Sequence, residues 1–366
     1  MKVRAGLGVI AAILVFGALG GCSGQPAPSP AWTSCGASVD GVDKLQAKVL
    51  ACASLVEHGA SGDQLEQALA QRGEAERRLS NLDPAIADFS RALRLRPGDL
   101  IALNGRGVAY LDEGKPDPAL VDFNAAILAN PGDGAAFGNR ASVERARGDY
   151  SAAIFDHSRA IELAPDDASA WAARGYDYAG KRQWDSAIAD FDDALRRAPN
   201  DASALEGRAL TERGKGDAKA ALKDYQAALN DPHTDNALAD AEAVVELSPP
   251  GDPEALNARC WVRGVNDVEL PEGLSDCQQS LATRPNSAET LDSLALIYFR
   301  QGRFGDAITQ YTAALALDPT QEQSQYMRGI AKLRAGDKAG ADADIEAASA
   351  ADKTIAGTFA GYGLKP

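Results

Sequence analysis

Seven arginines and seven aspartates stand at spacings that could do chemistry. Arg72, Arg106, Arg140, Arg174 and Arg208 recur every 34 residues, and Arg259 and Arg328 continue the series further on. Each is followed 16 or 17 residues later by Asp88, Asp122, Asp156, Asp190, Asp224, Asp276 or Asp344. Guanidinium groups in such a row could bind an anionic ligand, or each could close a bidentate bond on its own carboxylate. The chain itself favours the second. Where Leu294 replaces the arginine, Gln310 replaces the aspartate, so both members of the pair vanish together. A contact between the two helices of a hairpin explains that, and every arginine then already has its carboxylate.

Other reactive side chains are sparse. His58, His157 and His233 are scattered, and no Cys and His group has metal-ligand spacing. No phosphate-cradling glycine pattern follows a strand, because no strand pattern is evident. The sequence therefore points to no enzyme, no metal and no cofactor. A formal charge of -15 provides no basic stripe for nucleic acid and disfavours docking on anionic lipid.

The elements that would position the Arg and Asp pairs show most clearly between Ala168 and Asp201. Trp171, Gly175, Tyr178, Trp184, Ala187, Phe191, Ala194 and Pro199 form two amphipathic helical patterns separated by a turn. This resembles the tetratricopeptide repeat, W-x2-L-G-x2-Y then A-x3-F then P, with Arg174 where that family has Leu. With Gly175 as repeat position 8, steps of 34 land on Gly73, Gly107, Ala141 and Ala209. Position 20 is Ala85, Ala119, Ala153, Ala187 and Ala221, and position 24 is Phe89, Phe123, His157, Phe191 and Tyr225. His157 therefore reads as a packed core residue. Pro97, Pro131, Pro165 and Pro199 stop the second helices.

The period then slips. Ala237 to Pro249 copies a second helix with no first helix of its own, and regular repeats resume near Leu256. The expected fold is all-α, an α-solenoid of tetratricopeptide hairpins interrupted by an odd helix near 236-249. The expected layout is a lipoprotein signal peptide (1-21), a Pro-rich tether (22-34) and a degenerate helical cap (35-65). Five repeats (66-235), the odd helix (236-253), three repeats (254-355) and a final cap (356-366) follow. Within the cap at 35-65, a helix is expected from Val42 to His58, stopped by Gly59.

The beginning of the chain has an export pattern. Lys2 and Arg4 precede an apolar stretch, Leu7 to Leu19, too short for a comfortable membrane span. Leu19-Gly20-Gly21-Cys22 resembles a bacterial lipobox, which implies lipidation at Cys22. Ser after that Cys implies, by resemblance to enterobacterial lipoproteins, the outer membrane facing the periplasm. An ordinary secretory signal cut nearby is the alternative. Cys260 and Cys277 fall at positions 8 and 24 of one repeat, spaced by 17 like Cys35 and Cys52. Two bridges plus one lipidated Cys account for all five cysteines; buried thiol pairs are the other reading.

The resemblance implies a concave face lined by first helices. Carried over by register, its residues are Ile101, Asn104, Val108, Leu111, Tyr176, Leu210 and Arg213, then Asp292, Leu296, Phe299, Arg300, Tyr326, Ile330, Leu333 and Arg334. An apolar groove edged by arginines suits a peptide or protein segment with hydrophobic anchors. Packing against neighbouring turns of the solenoid is the alternative use of these side chains. The implied function is a non-catalytic scaffold, anchored in a bacterial envelope, that binds other envelope proteins or peptides. An accessory role in envelope export or polysaccharide secretion, with a peptide or glycan ligand, is the second expectation. Oligomeric state is not legible.

Overall fold

The computed structural model describes residues 30–365 except Gly59 and His233. Among these, all regular structure is helical. The signal peptide, Cys22 and most of the tether lie outside the described residues, as does the Gly59 stop.

The chain divides into two compact units between Arg197 and Ala198. The first holds α1 (Pro30–Gly36), α2 (Val42–Glu57), α3 (Asp63–Arg78), α4 (Leu82–Leu95), α5 (Leu100–Asp112), α6 (Pro116–Ala129), α7 (Gly134–Ala146), α8 (Tyr150–Leu163), α9 (Ala168–Gly180) and α10 (Trp184–Arg197). The second holds α11 (Ala202–Lys215), α12 (Ala218–Ala228), α13 (Ala237–Leu247), α14 (Pro253–Asn266), α15 (Leu270–Thr283), α16 (Ala288–Arg300), α17 (Phe304–Leu317), α18 (Glu322–Arg334), α19 (Lys338–Ala351) and α20 (Ile355–Gly361). Hairpins run from α3 to α10 in the first unit, and as α11–α12 and α14 to α19 in the second, with α13 alone between.

Helix limits follow from the repeated punctuation. Aspartates just past each proline cap the next first helix: the Asp99 carboxylate accepts the Ala102 N–H at 2.8 Å, and Asp133 and Asp167 do the same for Ala135 and Ser169. Position 15, between the paired helices, is left-handed throughout. Glycine occupies it at Gly114, Gly148, Gly216, Gly302 and Gly336, but Ser80, Arg182 and Asp267 adopt the same positive φ.

The hairpin core explains the small residues. A Cβ on Gly107 would come within 2.4 Å of the Phe123 ring, and one on Gly175 within 3.1 Å of Phe191. The alanines at position 20 and the rings at position 24 are buried throughout. Each buried Phe contributes about 2 to 3 kcal/mol, so this contact is the main apolar term of a hairpin.

One expectation needs correction. Residues 30–34 belong to α1 rather than to a tether, because Trp32 packs on the buried Cys35, Cys52 and Ala68. The odd helix α13 packs against both α12 and α14 and continues the second unit. The final cap lies where expected, and it reaches further: Ile355 and Phe359 of α20, with Leu364 just beyond it, share one buried cluster with Val265, Leu296, Tyr326 and Ile330.

Candidate functional site: the inter-helix ion pairs and the first-helix faces

All seven arginines meet the aspartates assigned to them. In each pair Nε–H and Nη2–H donate to the two carboxylate oxygens: Arg72 to Asp88 at 2.6 and 2.7 Å, Arg106 to Asp122 at 2.8 and 2.7 Å and Arg140 to Asp156 at 2.7 Å for both bonds. Arg174 and Asp190 give 2.7 and 2.8 Å, and Arg208 and Asp224 give 2.6 and 2.8 Å. Arg259 to Asp276 and Arg328 to Asp344 repeat the pattern. Positions 7 and 23 face each other across a hairpin, which is why the spacing stays at 16 residues, or 17 in the α14–α15 hairpin. The hydrogen bond to Asp190 outweighs the cost of burial and holds the Arg174 guanidinium above its ordinary pKa. At Asp344, burial pushes the carboxyl up, but bonds from Arg328 and Lys332 win and hold it below the usual range.

A third bond was not foreseen. The Nη1–H of Arg106 donates to Ser90 Oγ at 3.0 Å, that of Arg140 to Asn124 Oδ1 at 2.7 Å, and that of Arg174 to Ser158 Oγ at 3.1 Å. These acceptors lie at position 25 of the preceding hairpin, so each of these arginines joins two hairpins. Short polar residues spaced by 34 were the available signal.

The odd helix shows the converse. Asp240 occupies the position-23 site of α13, which has no first helix and hence no arginine at position 7. It is 3% exposed. Burial and the neighbouring Glu206 carboxylate raise it to about 7. His157 also departs from a plain apolar role: its Nδ1 lies 2.5 Å from Asp177 Oδ2, with both side chains wholly buried. His58 is exposed at the end of α2, and His233 lies outside the described residues. Among the described residues no group of three or more His, Cys, Asp and Glu could hold a metal ion. No described helix is long and apolar enough to cross a membrane.

Disulfides join Cys35 to Cys52, with Cα atoms 4.8 Å apart, and Cys260 to Cys277 at 5.6 Å. The first fastens α1 to α2. The second takes the place of the small-residue and ring contact in the α14–α15 hairpin.

The expected groove residues divide by unit. In the first, Ile101, Val108 and Leu111 are half-buried, and Leu111 borders a shallow hollow with Arg77, Leu82 and Asp112. Asn104 donates to Asp133 at 2.7 Å. Tyr176 is also half-buried, packed edge-on against Phe191 at 5.0 Å between ring centroids.

In the second unit, Leu210 is exposed and Arg213 pairs with Glu246 at 2.7 Å. The remainder do not line an open surface. Leu296, Tyr326 and Ile330 are almost wholly buried, because residues 355–365 fold back over them. Tyr326 stacks on Phe359 at 5.5 Å. Arg300 donates to the carbonyls of Gly264 at 3.0 Å, Val265 at 2.7 Å and Tyr362 at 2.9 Å, and Arg334 donates to that of Lys365 at 3.1 Å. Asp292 accepts from Ser324 Oγ at 2.5 Å, and burial raises its carboxyl to about 6. Phe299 leans on Phe304 at 5.4 Å, and Leu333 is half-buried.

Comparison with known proteins agrees with this architecture. A family model described as tetratricopeptide repeat matches residues 70–134, 109–168 and 172–237, and a second, described as TPR repeat, matches 278–336. No curated protein matches the chain. Among solved structures, a tetratricopeptide repeat protein from Parabacteroides merdae is 19% identical, covering 70% of this chain and 93% of its own, with a TM-score of 0.45. YrrB, described as a TPR protein with an unusual peptide-binding site, is 21% identical over 52% of this chain and 96% of its own, with a TM-score of 0.41. MamA from Desulfovibrio magneticus RS-1 is 21% identical over 47% of this chain and 96% of that one, with a TM-score of 0.42. The repeat models together lie on more than half of the residues, over the hairpins described above, and the chain belongs to the tetratricopeptide-repeat family.

Proposed function

We propose that the chain is a non-catalytic scaffold, lipid-anchored through Cys22 in a bacterial envelope at the outer membrane, that gathers other envelope proteins or peptides on its first-helix faces. The observation that carries this reading is the disposition of charge. Arginines that could have made an anion site are consumed by aspartates, while apolar side chains such as Val108 and Leu111 stay half-exposed on α5. Two bridged cysteine pairs support an oxidising compartment, because cytosolic thiols are kept reduced.

Two measurements test it. Wild type should incorporate a radiolabelled fatty acid and Cys22→Ala should not; equal labelling removes the anchor. A photo-crosslinker at Leu111 should capture envelope proteins in intact cells, and capture should fall at least tenfold with Val108→Asp. Unchanged capture would sink the α5 face as the contact surface.

A further inference from the structure

Residues 355–365 occupy the first-helix face of α14, α16 and α18, where the scaffold reading puts a partner's segment, and the inference here rests on that reading. They are held the way a docked peptide is held. Phe359 and Leu364 enter the cluster made by Leu296, Tyr326 and Ile330. Arg300 and Arg334 grip main-chain carbonyls of Tyr362 and Lys365, bonds that any segment with the same backbone path can make.

The segment holds itself together poorly. Its helix spans seven residues, contains Gly357 and Gly361, and has no side-chain cap at Thr354. A helix so short and so rich in glycine is not stable alone in water, so the groove supplies its order. Only Asp352, Lys353 and Thr354 connect it to α19, and the last turn of α19 is already closed by the Asp352 N–H on Ala348 O. Release therefore breaks no backbone hydrogen bond of α19. An added Cβ at Gly357 or Gly361 meets nothing within 4 Å, so the groove accepts a better helix former than the one it holds.

We infer that the groove of α14, α16 and α18 is a segment-binding site held shut by residues 355–365. Opened, it takes a short helical segment of another protein bearing an aromatic residue, a second aromatic three positions on and an aliphatic residue two beyond that. A short tether gives the resident segment an effective concentration on the order of mM. The same segment from a second copy would only exchange like for like. A partner prevails by avoiding the glycines, each worth roughly fivefold in affinity when replaced by alanine in a helix.

The test uses a fluorescent peptide of residues 352–365 carrying Gly357→Ala and Gly361→Ala, titrated into the full chain. The Phe359→Ala chain, whose own segment has lost its anchor, should bind at least tenfold more tightly than wild type, and a peptide carrying Phe359→Ala should not bind. Equal affinity for both chains, with α14 to α19 still protected from amide exchange, overturns the proposal. Should Phe359→Ala unfold those helices, the wild-type chain decides: α20 should exchange at least tenfold faster than α18, and faster still with excess peptide. Protection of α20 equal to that of α18 makes it a structural cap and overturns the site, and a wild-type dimer that exchanges α20 reassigns the occupant to a second copy. Peptide binding makes no reference to anchoring or to cellular partners, so an absence of crosslinked partners would remove the scaffold reading and leave this groove standing.

Discussion

Replacing Arg174 by Leu, the residue usual in the family at that position, isolates the charge contribution of one hairpin because the apolar stem is kept. Asp190 has a side chain only 7% exposed and would lose two charge-assisted hydrogen bonds at once. Breaking a buried pair from one side costs about 3 to 5 kcal/mol, and the 17% exposure of Arg174 places this case at about 3 kcal/mol. The guanidinium also lies 5.1 Å from the Trp171 ring, whose cation–π contact, worth about 0.5 to 1 kcal/mol, would go with it. The chain supplies its own control. Leu294 and Gln310 occupy the same two sites in the α16–α17 hairpin, so Arg174→Leu with Asp190→Gln should fall within about 1 kcal/mol of wild type. Asp190→Gln alone should cost roughly 2 kcal/mol, since a half-freed arginine can reach water. Solenoids unfold in parts, so the assay is native-state amide exchange in α9 and α10 rather than a single melting temperature. A double variant destabilised by the sum of the two singles would show no coupling and refute the pairing.

Two further outcomes follow from the same geometry. Asp240 is raised from 3.8 to about 7, so its term stabilises the fold fully below pH 3.8 and is lost as the pH rises through 7. The whole shift corresponds to at most about 4 kcal/mol, of which acidification from pH 8 to pH 5 restores about 3. Denaturant titrations of wild type and Asp240→Asn at the two pH values should therefore differ by that term, and parallel pH responses would exclude it. Arg182 holds the left-handed turn position that glycine fills in five other hairpins, so Arg182→Gly should stabilise α9–α10 by about 0.5 to 1 kcal/mol in the exchange assay, and a loss of protection would count against strain there.

The hairpins were legible because each rests on coincident constraints. Gly107 tolerates no Cβ beneath Phe123, Pro131 stops the helix and Asp133 starts the next, so three residue types agree on one register. The ion pairs could be read from one chain because loss of Arg at Leu294 accompanied loss of Asp at Gln310. The face of α16 and α18 could not. Register tells which way Leu296 and Ile330 point, and a final cap over the last repeat is expected, but nothing in a 34-residue period says that residues 355–365, which lie outside it, will reach as far as Leu296 on α16. The pairing of His157 with Asp177 was hidden for a similar reason. A histidine at a ring position satisfies the packing pattern whether or not a carboxylate waits at its nitrogen.

The double engagement of Arg106, Arg140 and Arg174 bears on how such a chain can grow and shrink. A whole 34-residue unit brings its own guanidinium and its own carboxylate, and for the third bond it needs only a short polar side chain on the unit before it. Copying or excising complete units therefore leaves every buried charge matched. A half unit does not, and α13 shows the outcome: a single helix holds a buried aspartate at position 23 with no arginine of its own opposite it, and burial raises the Asp240 carboxyl to about 7.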